Sequence, residues 1–184
     1  MAGRRRVLGP LNGPIPAEVM FVGEAPGRFG AEIDGVPFHG DRAGSNFERL
    51  LRSAGLDRGG VFITNAVICN PRSPTGANSR PTALEIRDCS SWLERTIHLV
   101  DPGLVVSLGV VSLMALDRLG AHGLNLSRDV GMTVQWFDRL LLPLYHPGGR
   151  AMARRPFPEQ DQDWRSVASA ISGLRGEKAA PLHS

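Results

Sequence analysis

Two cysteines in 184 residues exclude a disulfide-stapled scaffold, and alone they cannot fill a four-thiolate cluster. They stand at Cys69 and Cys89, and no CxxC or HxxxH pair accompanies them, so metal-ligand spacing is missing. No run is long and apolar enough to span a bilayer. The longest uncharged stretch, Pro102 to Leu116, holds two glycines and falls short of the ~20 residues a span needs. Arg4, Arg5 and Arg6 look like the start of a secretory leader, but Gly9, Pro10, Gly13 and Pro14 break the apolar segment that would follow. These absences predict a cytoplasmic protein with no membrane contact. Neither a GxxxxGK[ST] phosphate loop nor paired aspartates occur, which argues against a nucleotide hydrolase.

What is plentiful is glycine and proline, 22 and 14 residues. With 42% hydrophobic and 21% charged residues the chain is globular, so this excess means many shaped loops, where chemistry concentrates. The net charge of +3 and a pI near 9.5 suit an anionic partner without demanding one. The length predicts one domain over residues 1–184, with 1–16 as an extended arm and 176–184 as a frayed tail.

Short apolar runs alternate with amphipathic ones, the α/β signature. Strands are predicted at Val19–Val22, Val61–Val67, Leu104–Leu108 and Leu140–Tyr145. Helices are predicted from a Ser45–Glu48 capping box, from a Thr82–Glu85 box, over Val110–Leu119, and over Trp164–Leu174. The expected fold is a three-layer α/β/α sandwich with a central four-stranded, mostly parallel sheet. Ligands of such sheets sit beyond the carboxyl ends of the strands. Polar residues stand there: Glu24 after the first strand, Asn65 in the second, His146 after the fourth.

Each has an ordinary reading and a chemical one. Glu24, in Gly23-Glu24-Ala25-Pro26-Gly27, is either a solvated loop carboxylate or a group that orients water. Phe38, between Pro37 and His39, either tucks into the core or stacks on a planar ring. Asn65 either bonds a neighbouring loop or reads the edge of a nucleobase, since its amide donates and accepts at once. His146 is either satisfied by backbone or donates to an oxygen gaining charge. Behind it Pro147, Gly148, Gly149, Arg150, Met152, Arg154 and Arg155 form a flexible basic loop with one apolar tip, suited to phosphates and a base stack. Ser45 and Asn46 read as a helix start able to meet an anion. The stripe Ile86, Cys89, Leu93 and Ile97 places Cys89 in a core.

GEAPG, GVPFHGDRAG, TNAVICNP and YHPG, in this order from about Val19 to Arg155, together resemble the uracil-DNA glycosylase superfamily, and within it the bacterial family 4 type. The resemblance implies hydrolysis of the N-glycosidic bond of uracil, and of related deaminated bases, in DNA. Glu24 and His146 would be catalytic, positioning water and stabilising charge on O2. Gly23, Ala25, Pro26, Gly27, Phe38 and Asn65 would bind the base, and Gly27 would leave room for bases other than uracil. Ser45, Asn46, Pro147, Gly148, Gly149, Arg150, Met152 and Arg154 would contact DNA.

The resemblance has gaps. Family 4 members usually hold an iron–sulfur cluster through four cysteines. Cys69 and Cys89 match two of them, but the CxxC before the first strand is missing, so no cluster, no metal and no other cofactor is expected. Both thiols would be buried remnants, with prolines and arginines holding the 70–80 loop instead. That loop also carries no histidine, which points to plain hydrolysis and away from covalent trapping. The expected partner is uracil-containing DNA, bound by a monomer. The alternative is a protein that binds damaged or abasic DNA without turnover.

Overall fold

Four of the apolar runs become neighbouring parallel strands in the computed structural model, which describes residues 3–179. The strands are β1 (Val19–Gly23), β2 (Phe62–Asn65), β3 (Leu104–Leu108), β4 (Val134–Trp136) and β5 (Arg139–Leu144). Their order is β2-β1-β3-β5-β4, with β4 antiparallel to β5 at one edge. The sheet thus has five strands where four were expected. β4 is only three residues long, with Gln135 exposed and Val134 half-buried, so it shows no apolar run.

The helices are α1 (Ala31–Asp34), α2 (Arg42–Ser53), α3 (Ala83–Val100), α4 (Val110–Asp117), α5 (Leu126–Asp129), α6 (Gly149–Arg154) and α7 (Phe157–Ala179). Alternation along β1 sorts them into two layers. Met20 and Val22 pack with Ile86, Leu93 and Ile97 of α3 and with Val111 and Leu116 of α4. Val19 and Phe21 pack on the other face with Phe47, Leu50 and Leu51 of α2 and with Trp164, Val167 and Ile171 of α7. Phe21 stacks on Trp164 at 5.2 Å, and Phe47 meets both edge-on at 5.4 Å. Each such side chain contributes about 1.5–3 kcal/mol by leaving water. β1, β2 and β3 are buried throughout, as parallel strands covered on both faces must be.

The Thr82–Glu85 capping box forms as expected: the Glu85 N–H donates to Thr82 Oγ1, and the Thr82 N–H to Glu85 Oε2. The Ser45–Glu48 box does not. α2 begins at Arg42 behind Asp41, whose carboxylate accepts from the Gly44 N–H at 2.8 Å. Ser45 and Asn46 therefore lie inside the helix, and a carboxylate caps the end where an anion site was expected. α7 starts at Phe157, ahead of the predicted Trp164, because Pro158 is tolerated in a first helical turn. It also runs past Gly176 to Ala179; the rest of the expected tail, 180–184, lies outside the described residues, as do Met1 and Ala2. The N-terminal arm is fastened to the domain. The Val7 N–H donates to the Ile68 carbonyl at 2.7 Å, and Asn12 Nδ2 donates to the Ile63 carbonyl at 2.7 Å.

Candidate active site

Parallel pairing puts the carboxyl ends of β1, β2, β3 and β5 along one edge, and a cavity of about 860 Å³ opens there. Glu24, Phe38, Asn65 and His146, far apart in the chain, all line it, together with Ala25, Pro26 and Gly27. The volume is in the range of small-ligand sites.

Glycines allow the approach. A β-carbon on Gly23 would sit 2.5 Å from Asn65 Oδ1 and 2.7 Å from the Phe38 ring, so the amide and the ring meet over a residue that cannot carry a side chain. Asn65 ends β2 and is 3% exposed. Nothing among the described residues hydrogen-bonds its side chain, so the loop-bonded reading fails and the amide faces the cavity with donor and acceptor both open. The amide atoms are not sealed off, so a ligand edge with a matching donor and acceptor can reach them.

Phe38 adopts a left-handed backbone, φ 50°, which a phenylalanine rarely accepts. Arg58 holds it there. Its Nη1 donates to the Pro37 carbonyl and its Nη2 to the Phe38 carbonyl, each at 2.9 Å, while Glu48 anchors the guanidinium at 2.6 Å. The Phe38 ring stacks on Phe47 at 4.8 Å and lies 5.4 Å from the His146 ring. At 9% exposed, Phe38 packs in the core as its ordinary reading expects and also lines the cavity.

His146 follows β5. Its Nδ1 accepts the Gly148 N–H at 2.9 Å, which assigns the ring proton to Nε2. Burial holds the imidazole down to about 4, only partly offset by the Asp41 carboxylate, so the ring is neutral near pH 7. A β-carbon on Gly148 would lie 2.8 Å from Nδ1. Glu24 is half-buried, and desolvation raises its carboxyl above the ordinary value against the pull of Arg80 and Arg150. Sequence reading assigns no role to Asp41, although it lies within GVPFHGDRAG, nor to Arg80 and Arg58, which nothing local marks. Gly27 touches the cavity, but a β-carbon there would be 2.8 Å from Asp41 Oδ2, so Asp41 already occupies part of the room expected beside it.

The expected DNA-contacting residues divide. Gly148, Gly149, Arg150 and Arg154 line the cavity. Asn46 Nδ2 donates to the Pro147 carbonyl at 2.9 Å, tying α2 to the His146 turn, while Ser45 is exposed away from the cavity. The expected flexible loop is the helix α6, and Met152, expected as an exposed tip, is half-buried against the core, because helical spacing turns it inward. Arg155 is held by Asp163 in a two-pronged ion pair and is not free for phosphate.

The donor set does not fit a four-thiolate cluster. Only Cys69 and Cys89 are present, and no group of three or more His, Cys, Asp or Glu is gathered for a metal among the described residues. Cys69 is buried and burial pushes its thiol up, which favours the neutral form; Cys89 is half-buried and not the full core residue expected. Amides and guanidiniums hold the 70–80 loop. Asn70 Nδ2 donates to the Pro26 carbonyl and to Asn78 Oδ1, the latter also accepting the Arg28 N–H at 3.1 Å. Arg28 donates to the Gly76 carbonyl at 2.8 Å, Arg4 to the Asn70 carbonyl, and Arg72 pairs with Glu32. Of the loop's own arginines only Arg72 does the holding expected of them; Arg4 and Arg28 come from outside the loop, and two asparagines stand at its centre.

A family model described as the Uracil DNA glycosylase superfamily matches residues 10–168. The type-4 uracil-DNA glycosylase of Saccharolobus solfataricus is 35% identical over 170 residues, covering 89% of this chain and 76% of its own. That of Archaeoglobus fulgidus is 32% identical over 178 residues, covering 94% and 84%. A type-5 uracil-DNA glycosylase of Mycobacterium leprae is 30% identical over 186 residues, covering 88% and 79%. The matched span runs from before β1 into α7 and contains every strand end that builds the cavity; the chain belongs to the uracil-DNA glycosylase superfamily.

Proposed function

We infer that the protein hydrolyses the N-glycosidic bond of uracil in DNA, releasing free base and leaving an abasic site. The observation that carries this reading is the open Asn65 amide, buried beside the Phe38 ring and across from a neutral imidazole. An extruded uracil stacks on Phe38. Asn65 Oδ1 accepts from its N3–H and Nδ2 donates to its O4. His146 Nε2 donates to O2, where negative charge gathers as the bond to the sugar lengthens. The Glu24 carboxylate, whose charge Arg80 and Arg150 favour against the desolvation that raises its pKa, steadies the cationic sugar and directs water to C1′. Bond breaking leaves the base as an anion; water adds its oxygen to C1′ and gives its proton to the Glu24 carboxylate, which passes it on to the departing base, so that the products are neutral uracil and a C1′ hydroxyl. Extrusion costs a few kcal/mol, least for a mispaired or single-stranded uracil.

The acting form we propose is a monomer, in a reducing cytoplasm that two free thiols suit. Related deaminated bases with the same O2, N3 and O4 pattern belong to the same substrate class. The test is release of free uracil from an oligonucleotide by wild type, Glu24→Gln and Asn65→Ala. Losses of about 10²–10³-fold are expected for each variant. Wild-type rates in both would move the chemistry elsewhere, and tight binding without base release would favour a damage-binding role.

A further inference from the structure

A second hollow of about 610 Å³ adjoins the uracil cavity and shares Val110, Leu126, Tyr145 and Arg154 with it. It runs along α4, where Val110 and Met114 sit one turn apart on the same face and stay 49% and 53% exposed. Leu124 closes the far side. Contiguous exposed apolar surface rimmed by polar groups is what a binding groove presents. Cations frame this pair at the end toward the uracil cavity, while the Asp117 carboxylate, also in the groove wall, accepts the His122 N–H at 3.2 Å and lies 3.7 Å from His122 Nε2. Arg154 stands where the two hollows meet, and the Arg80 guanidinium lies 4.0 Å from the Met114 sulfur. Neither arginine is ion-paired to a carboxylate among the described residues. His122, also in the wall, is satisfied: Nδ1 accepts the Leu124 N–H at 3.0 Å and Nε2 lies 3.0 Å from the Leu113 carbonyl, so it adds shape and no free donor.

We propose that this groove holds the nucleotide next to the extruded uracil on one side of the strand, its base laid on Val110, Met114 and Leu124 and its phosphate between Arg80 and Arg154. The arrangement is that of a single-strand binding surface, an apolar platform for a base flanked by cations for the backbone. The two arginines at its cavity end and its continuity with the cavity select this occupant. A base lying there is unstacked from its neighbour, so the groove favours single-stranded or locally melted DNA. The proposal rests on the glycosylase reading for the position of the uracil, and its test separates the two.

Binding is measured by fluorescence anisotropy on single strands carrying a tetrahydrofuran abasic analogue, which cannot be hydrolysed. One strand has flanks on both sides, one ends just 5′ of the lesion, and one ends just 3′ of it. Met114→Glu sets a like charge beside the phosphate at an exposed position, and Leu99→Glu, exposed near the opposite edge of the sheet, is the charge-matched control. The expected result is that Met114→Glu weakens binding about tenfold for the full strand and for one truncated strand, and has no effect on the other, which wild type already binds about tenfold more weakly. Leu99→Glu changes none of them. Equal weakening of all three strands, or of none, overturns the groove. Uracil release is followed in parallel: its absence in wild type, with the strand-specific pattern intact, overturns the glycosylase reading and leaves the groove standing.

Discussion

The arginines around the cavity differ in what they hold. Arg58 and Arg155 are half-buried and committed to the protein: Arg58 to two carbonyls and Glu48, Arg155 to Asp163. Arg80, Arg150 and Arg154 line the cavity, are exposed, and pair with no carboxylate among the described residues. The same side chain therefore serves two purposes. Behind Phe38 it fixes a strained backbone, and along the arginine-bearing wall it supplies positive charge to a mouth open to solvent. Positional order on one side and open charge on the other are what a site needs if it must place a planar ring accurately and yet accept a long polyanion.

The sharpest way to break this contrast is Arg58→Ala. It removes three charge-assisted hydrogen bonds and leaves two carbonyls and Glu48 without their partner. A stability loss of about 2–4 kcal/mol is expected, read as a lower midpoint in urea. Phe38 then leaves its left-handed conformation, and kcat falls by about 100-fold or more. Arg58→Lys rescues little, since one ammonium cannot reach both carbonyls in a fork. If Arg58→Ala kept wild-type kcat, Phe38 would not owe its position to this guanidinium.

Gly148→Ala addresses the imidazole on the same wall. The new methyl would lie 2.8 Å from His146 Nδ1, so the ring must move off its backbone donor. The Gly148 φ of −81° suits alanine, so the backbone itself is not strained. The expected outcome is a fall in kcat of about 10–100-fold with a small change in KM, checked by steady-state kinetics on a uracil oligonucleotide.

Titration gives a smaller effect with a definite sign. The folded-state pKa of His146 is depressed, from 6.5 to about 4, so the unfolded chain binds its proton first as pH falls. Stability from this group is full above pH 6.5, declines between 6.5 and about 4, and levels off below; the whole loss is about 3 kcal/mol. Glu24, whose pKa is raised, works in the opposite direction at the acid end. The difference in unfolding midpoint between wild type and His146→Gln across pH 7 to 4 isolates the imidazole. The kcat profile should also show no inflection near 6.5, because the donor is already neutral there.

The framework was legible because its signals are local. β1 and β3 are apolar runs in one piece, and Glu24, Asn65 and His146 stand out as polar groups where such runs stop. Phe38 was legible only through its motif, since proline and glycine around an aromatic do not say which way the ring points. Arg58 gave no signal: it lies in a turn of 3-10 helix and acquires its role only when α2 and the Phe38 loop come together. The α2 start was misplaced because Ser45 and Glu48 have the spacing of a capping box, while Asp41 reaches the Gly44 N–H first and has no acidic partner downstream to advertise it. Met152 was read as a free tip because two glycines before it suggest a flexible loop, whereas Gly148 caps a short helix that turns the side chain inward.

The arginine-bearing wall should respond most mildly and most uniformly. Arg150→Gln and Arg154→Gln remove exposed charges that hold no part of the protein in place, so the unfolding midpoint should stay within about 0.5 kcal/mol of wild type. Each should raise KM by a few-fold at low salt and reduce the slope of log binding constant against log salt by about one. Arg150 carries a second consequence. It helps keep Glu24 ionised, so its loss should move the acid limb of the kcat profile to higher pH, a shift that Arg154→Gln, absent from the field on Glu24, does not share. Variants that unfolded the protein, or that altered kcat at neutral pH while leaving the salt slope intact, would place these arginines with Arg58 and dissolve the distinction between the two walls.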